Sequence, residues 1–177
     1  MSGMGDGDKS FSSDDSWEKL AVSYDEFDVL LTDIDEKDLV ELGKSNDVLH
    51  LSPGTFPNPP FPALGRIHGP NIRYMIPLAC KLAGKSNSYV ANIWFIVDTG
   101  SPFTCLSIKS LESLVGSGNV TKSFYNLSIQ DARAVVECQV SKAHYQEVNI
   151  LGANSMRLMQ LSIHVDWLQN SFELVRQ

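Results

Sequence analysis

The sequence predicts a small all-β domain, a barrel or sandwich carrying one or two short helices, behind an acidic arm. Three observations predict it. From Ile72 onward, short apolar runs alternate with turn residues at close spacing. Five of the eight prolines fall within residues 52–62, "SPGTFPNPPFP". Charge is split at nearly the same place. Residues 1–50 hold 14 of the 21 acidic residues against four lysines, a net of −10, whereas residues 51–177 net +3. The expected division is an arm over 1–50, a Pro-rich linker over 51–63 and a folded domain over 64–177.

The elements follow in order. Residues 1–16 are mostly Gly, Ser, Asp and Lys and cannot bury enough surface to offset ordering entropy, so disorder is expected. From Trp17 to Leu42, apolar residues return at gaps of three or four. That spacing suits one or two short amphipathic helices, with Ser16 as an N-cap. The linker should run extended along a surface. "IRYMIPLACKL" and "SYVANIWFIV" read as strands of a hairpin around "AGKSNS". "SIKSLESLVGSG" reads as a short helix ended by glycine, and "FYNLSIQ" and "AVVECQVS" as strands around "DAR". "VNIL" is a fifth strand, "ANSMRLMQL" a helix capped by Asn154, and "LSIHVDW" and "FELV" a closing hairpin.

Composition narrows the function. Hydrophobic content is 43%, and no apolar run approaches the ~20 residues of a membrane helix. The start, Met-Ser-Gly and then acidic residues, lacks the basic and apolar regions of a signal peptide, so a cytoplasmic or nuclear location is expected. Cys80, Cys105 and Cys138 are far apart and odd in number, which suits reduced buried thiols. The sequons at Asn119 and Asn126 then carry no glycan. An acidic arm and a domain at only +3 do not suit nucleic acid. The four histidines are scattered, and "DIDEKDLVELGK" (33–44) fails as a calcium loop because Lys37, Asp38 and Lys44 occupy the wrong places. No metal or cofactor is expected. Cys105 has no flanking histidine, and Ser101 lies in no G-x-S-x-G elbow.

One stretch carries chemistry. In "WFIVDTGSPFT" (94–104) four apolar residues run directly into Asp98-Thr99-Gly100. The bland reading is a turn, in which Asp accepts backbone N–H groups and Gly frees the backbone. The context adds to it. A carboxylate ending a buried strand is held rigidly, neighbouring hydroxyls orient it, and a glycine lets backbone approach. An acid–base carboxylate needs those features. Aspartyl hydrolysis needs two carboxyls ~3 Å apart sharing one proton. Only one such loop occurs, so a two-fold axis would have to bring Asp98 beside its own copy.

These residues resemble the active-site loop of retropepsin-like aspartic proteases: an apolar strand, Asp-Thr-Gly-Ser, then Thr104 three residues on. A second signature, Ile150-Leu151-Gly152, lies 54 residues beyond Asp98 and is similar to the family's hydrophobic-hydrophobic-Gly segment leading into a helix. "LSIHVDWLQNSFEL" resembles the ending of retrotransposon-type members. The resemblance spans about residues 66–176 and implies a retropepsin-type closed or orthogonal barrel. It also implies aspartic endopeptidase activity on polypeptides by a homodimer, with Asp98 catalytic and no membrane or nucleic-acid partner. Thr99 and Gly100 would fix the loop across the axis, Ser101 would hydrogen-bond near the carboxylate, and Thr104 would pack beneath.

Two departures stand out. Pro102 and Ala153 replace an Asp–Arg ion pair that retroviral members carry. The loss of both partners is milder than the loss of one. The flap that covers substrate has little room. "GSGN" (116–119) has flap-like glycines, and "SIQDARAV" (128–135) is the clearer hairpin. A short flap points to an alternative, a catalytically weak or inactive dimerisation or peptide-binding module. A third reading has the acidic arm covering the cleft or binding a basic partner.

Overall fold

The computed structural model describes residues 33–85 and 88–177. The expected helices before residue 33, with their cap at Ser16, lie outside the described residues. The chain order is α1 (Glu36–Ser45), β1 (Ala63–His68), β2 (Arg73–Leu82), β3 (Val90–Val97), β4 (Thr104–Leu106), α2 (Ile108–Val115), β5 (Phe124–Ile129), β6 (Val135–Val140), a 3₁₀ turn (Ala143–Tyr145), β7 (Ile150–Leu151), α3 (Ala153–Met159), β8 (Leu161–Asp166) and β9 (Ser171–Arg176). The described residues are thus mostly β with three short helices. The nine strands among the described residues belong to one sheet, ordered β3-β7-β4-β6-β5-β2-β1-β9-β8. A further pairing of β3 with β2 closes the first six strands into a ring, and β1, β9 and β8 extend it outward. Among the described residues no helix is long and apolar enough to cross a membrane.

The unbroken apolar run of β3 has a packing cause. Strand side chains alternate between faces, and here both faces are covered. Ile93, Phe95 and Val97 enter the main core, while Trp94 and Ile96 enter a second one. Neighbouring strands divide in the same way: Ile76, Leu106 and Leu151 face the main core, and Met75, Cys105 and Ile150 the second. All three cysteines are buried, and none is in a disulfide. Strands β1 and β4 escaped the sequence reading. "ALGRIH" mixes Gly and Arg into its run, and "TCL" is too short to show a period.

The charge break near residue 50 is not a packing break. Ile34, Leu39 and Leu42, from the acidic side, close the second core over Trp94 and Ile150. Helix α1 starts at a capping box: Asp35 accepts from the N–H groups of Lys37 and Asp38, and the Asp38 carboxylate accepts from Asp35 N–H. Beyond it, Trp94 Nε1 donates to Val48 O at 2.8 Å. The linker then runs extended beside β3, with Leu51 N–H donating to Asn92 O and Gly54 N–H to Val90 O. Residues 33–62 are therefore part of the domain's packing.

His50 makes this attachment sensitive to acid. Its Nδ1 accepts from Trp94 N–H at 3.1 Å, a role only the neutral ring can fill. Burial is the main cause that lowers its pKa to about 4; Glu36 opposes this and Lys109 reinforces it. The unfolded ring takes its proton near pH ~6.5. The neutral ring's contribution is therefore complete above that pH and is lost as pH falls toward 4, by up to ~3 kcal/mol. Urea midpoints at pH 7 and pH 4.5 should fall more steeply for the parent than for His50→Gln. Equal slopes would contradict this account.

Candidate active site

Asp98 is the first residue after β3, and the loop 98–103 joins β3 to β4. Strand β7 lies between those two strands. It pairs parallel with β3 (Ile96↔Ile150, Val97↔Leu151) and antiparallel with β4 (Cys105↔Ile150). The loop is thus pinned at its base by Ile150, Leu151 and Gly152, the second motif. Asp98 N–H donates to Leu151 O at 3.1 Å. Past the strand, Ala153 N–H donates to Ser101 O at 2.8 Å and Asn154 N–H to Pro102 O at 3.2 Å.

Gly152 is required by this crossing. Its φ of −86° is ordinary, so space decides the residue type. A Cβ would stand 2.2 Å from Phe103 O and 2.9 Å from Ser101 O, both backbone atoms. Thr104, fully buried, completes the anchor. Its Oγ1 accepts from Gly152 N–H at 3.1 Å, donates to Asn154 Oδ1 at 2.7 Å and bonds the Ser155 hydroxyl. The loop tip is left at the surface. Asp98 is half-buried, Thr99 and Gly100 are exposed, and Asp98 Oδ1 accepts from Gly100 N–H at 2.9 Å.

Two expected roles change. The buried Ser101 hydroxyl donates to Phe103 O at 2.8 Å, so it braces the loop instead of meeting the carboxylate. Asn154 is not the cap of α3; Gly152 holds that position, and Asn154 spans Thr104 and Glu137 O from inside the helix. Pro102 and Ala153, the absent ion-pair positions, carry backbone bonds of this same crossing.

The two flap candidates are each tied down within the domain. "GSGN" ends α2: Gly116 N–H donates to Glu112 O, and Gly118 N–H to Glu112 Oε1. The β5–β6 turn is tied to β2 and to β9, while β6 itself runs beside β4 (Thr104↔Cys138) and accepts from Asn154 at Glu137 O. Gln130 N–H donates to Ala79 O, Ala79 pairs with Asn92, and Asp131 is bonded by Arg133 and Arg176. A broad depression beside Thr99, lined also by Met156, Arg157, Gln160 and Leu161, flanks the loop.

Sequence reasoning missed Arg73 and Asp33. Met75 pairs with Ile96, and two further residues of that register set Arg73 across from Asp98, whose charge it feels. Asp33 grips Arg73 in a fork, Oδ2 accepting from Nε at 2.9 Å and Oδ1 from Nη2 at 2.8 Å, while Asn71 Nδ2 donates to Oδ2. The Arg73 hydrogen bond is the largest cause that lowers the Asp33 pKa to about 2. Counting outward from the "AGKSNS" turn would have paired Arg73 with Asp98, but the register was not fixed by sequence. The sequence matches no family model and no curated protein.

Proposed function

We propose that the protein is a retropepsin-like aspartic endopeptidase that works as a homodimer. The observation that carries this reading is the loop itself. A half-buried carboxylate stands at the end of a core strand, its loop braced by Gly152 and Thr104 while Thr99 and Gly100 stay exposed. A self-complementary contact through that exposed tip brings two Asp98 carboxylates together. One is ionised and takes a proton from water; the other is protonated and donates to the scissile carbonyl. The water oxygen bonds to the carbonyl carbon, giving a neutral diol. Proton transfer to the amide nitrogen then breaks the C–N bond and releases acid and amine. No covalent enzyme intermediate forms. The ring of strands suits a barrel of the retropepsin type.

The open surface beside Thr99 favours the second reading, a derived dimerisation or peptide-binding module. The two separate on incubation with a mixed peptide library between pH 4 and 7, with sedimentation in parallel. The protease reading expects cleavage whose specific rate falls on dilution below the dimer's dissociation constant. A silent dimer overturns it in favour of the binding module. A monomer that cleaves overturns the shared pair.

A further inference from the structure

A second charged site lies at the β5–β6 turn. That turn, the last turn of α3 and the end of β9 surround an open depression of about 560 Å³. Arg133, Val135, Leu158, Gln160 and Arg176 line it, together with the buried Asp131.

Part of this arrangement ties the turn to the rest of the domain. Arg176 Nη2 donates to Asp131 Oδ2 at 3.1 Å and its Nε to Met159 O at 3.3 Å. Its guanidinium lies 5.1 Å over the Phe61 ring, which fixes its place further. Arg133 adds nothing to that tie. Among the described residues its guanidinium reaches Asp131 alone, two residues back in the same turn, from Nε at 3.2 Å and Nη2 at 3.3 Å. Its side chain is 83% exposed. Two guanidiniums thus share one carboxylate, and the site keeps an unbalanced positive charge.

The donors are in surplus too. A guanidinium has five N–H groups. Arg133 and Arg176 each spend two on the bonds above, so among the described residues three remain on each. Such a surplus suits a second carboxylate, which planar guanidiniums hold in pairs of bonds. Beside them stand two apolar side chains open to solvent, Val135 at 44% and Leu158 at 54%. Gln160 also lines the depression beside Thr99, so the two adjoin, and Arg157 adds a further cation there. A small free anion would leave Val135 and Leu158 unused. An acidic residue with an apolar neighbour, carried on a polypeptide, meets both halves of the site.

We infer that the depression between Arg133, Arg176 and Leu158 binds an acidic residue of a polypeptide, whose apolar neighbour packs on Val135 and Leu158. The site selects chains that carry an acidic segment, whether or not the Asp98 loop cleaves them. The binding does not rest on Asp98 being catalytic.

The test uses the full chain carrying Asp98→Asn, so that no probe is cleaved. The probe is a rhodamine-labelled peptide, GSLELELSG, followed by fluorescence anisotropy at pH 7. Its dissociation constant should rise about tenfold in Arg133→Gln and several-fold in Leu158→Ser. Both side chains are exposed, and in the first variant Asp131 keeps its bonds from Arg176 and from the N–H of residue 133. Lys122→Gln, which removes the same charge from another exposed position, should change binding less than about twofold. The uncharged peptide GSLQLQLSG should bind at least about tenfold more weakly. Equal losses in Arg133→Gln and Lys122→Gln would reduce the effect to net charge and overturn the inference. Equal binding of the two peptides, or binding of neither, would overturn it as well. Displacement of the probe by N-acetylglutamate as readily as by unlabelled peptide would assign the site to a small carboxylate instead. Peptide cleavage is not read, so this result and that of the library assay stand separately.

Discussion

Asp98→Asn is expected to abolish peptide cleavage, by at least about 10³-fold, while leaving the fold intact. The amide is isosteric with the carboxylate. Its oxygen can still accept the Gly100 N–H that Asp98 Oδ1 accepts at 2.9 Å. It cannot take a proton from water, and a pair of amides cannot share one. Thermal midpoints of parent and variant should agree within ~2 °C, so lost activity would report chemistry and not unfolding. A variant that retains a tenth of the parent's rate would remove Asp98 from the mechanism.

Gly152→Ala is expected to be the most damaging single methyl in the chain's second motif, at about 3–5 kcal/mol. The added carbon would lie 2.2 Å from Phe103 O and 2.4 Å from Phe103 C. Neither is the end of a flexible side chain. The helix start must move off the loop, breaking Ala153 N–H to Ser101 O at 2.8 Å and Gly152 N–H to Thr104 Oγ1 at 3.1 Å. The buried N–H at position 152 would then lose its acceptor. Urea unfolding reads the cost directly. A loss under ~1 kcal/mol would mean that the crossing is softer than its contacts imply.

How much of this was legible depended on the range of the interaction. Hairpins around "AGKSNS" and "DAR" were readable because their signals are local: apolar runs flanking turn residues. The Asp98 loop and Ile150-Leu151-Gly152 were readable as two short motifs. Their physical connection was not, because a parallel pairing over 54 residues leaves no local trace. The second core was hidden for a different reason. Charge composition marked residues 33–50 as an arm, yet three apolar side chains among many acids, Ile34, Leu39 and Leu42, attach it. The β5–β6 hairpin was readable too; the bonds of Gln130 and Asp131 across the sheet, which fix its turn, were not.

The position of β7 also sets the order in which the chain can assemble. Strands β3 and β4 have no shared ladder until Ile150 and Leu151 arrive between them. Closing so long a segment is entropically costly, and such contacts form late. During synthesis the Asp98 loop stays unbraced while the next fifty or so residues are made, a matter of about 3–10 s at ordinary elongation rates. A nascent chain lacking α3 and the residues before it holds the carboxylate but no organised loop. Any activity that depends on this loop is withheld until residues 150–154 have been made and have reached it.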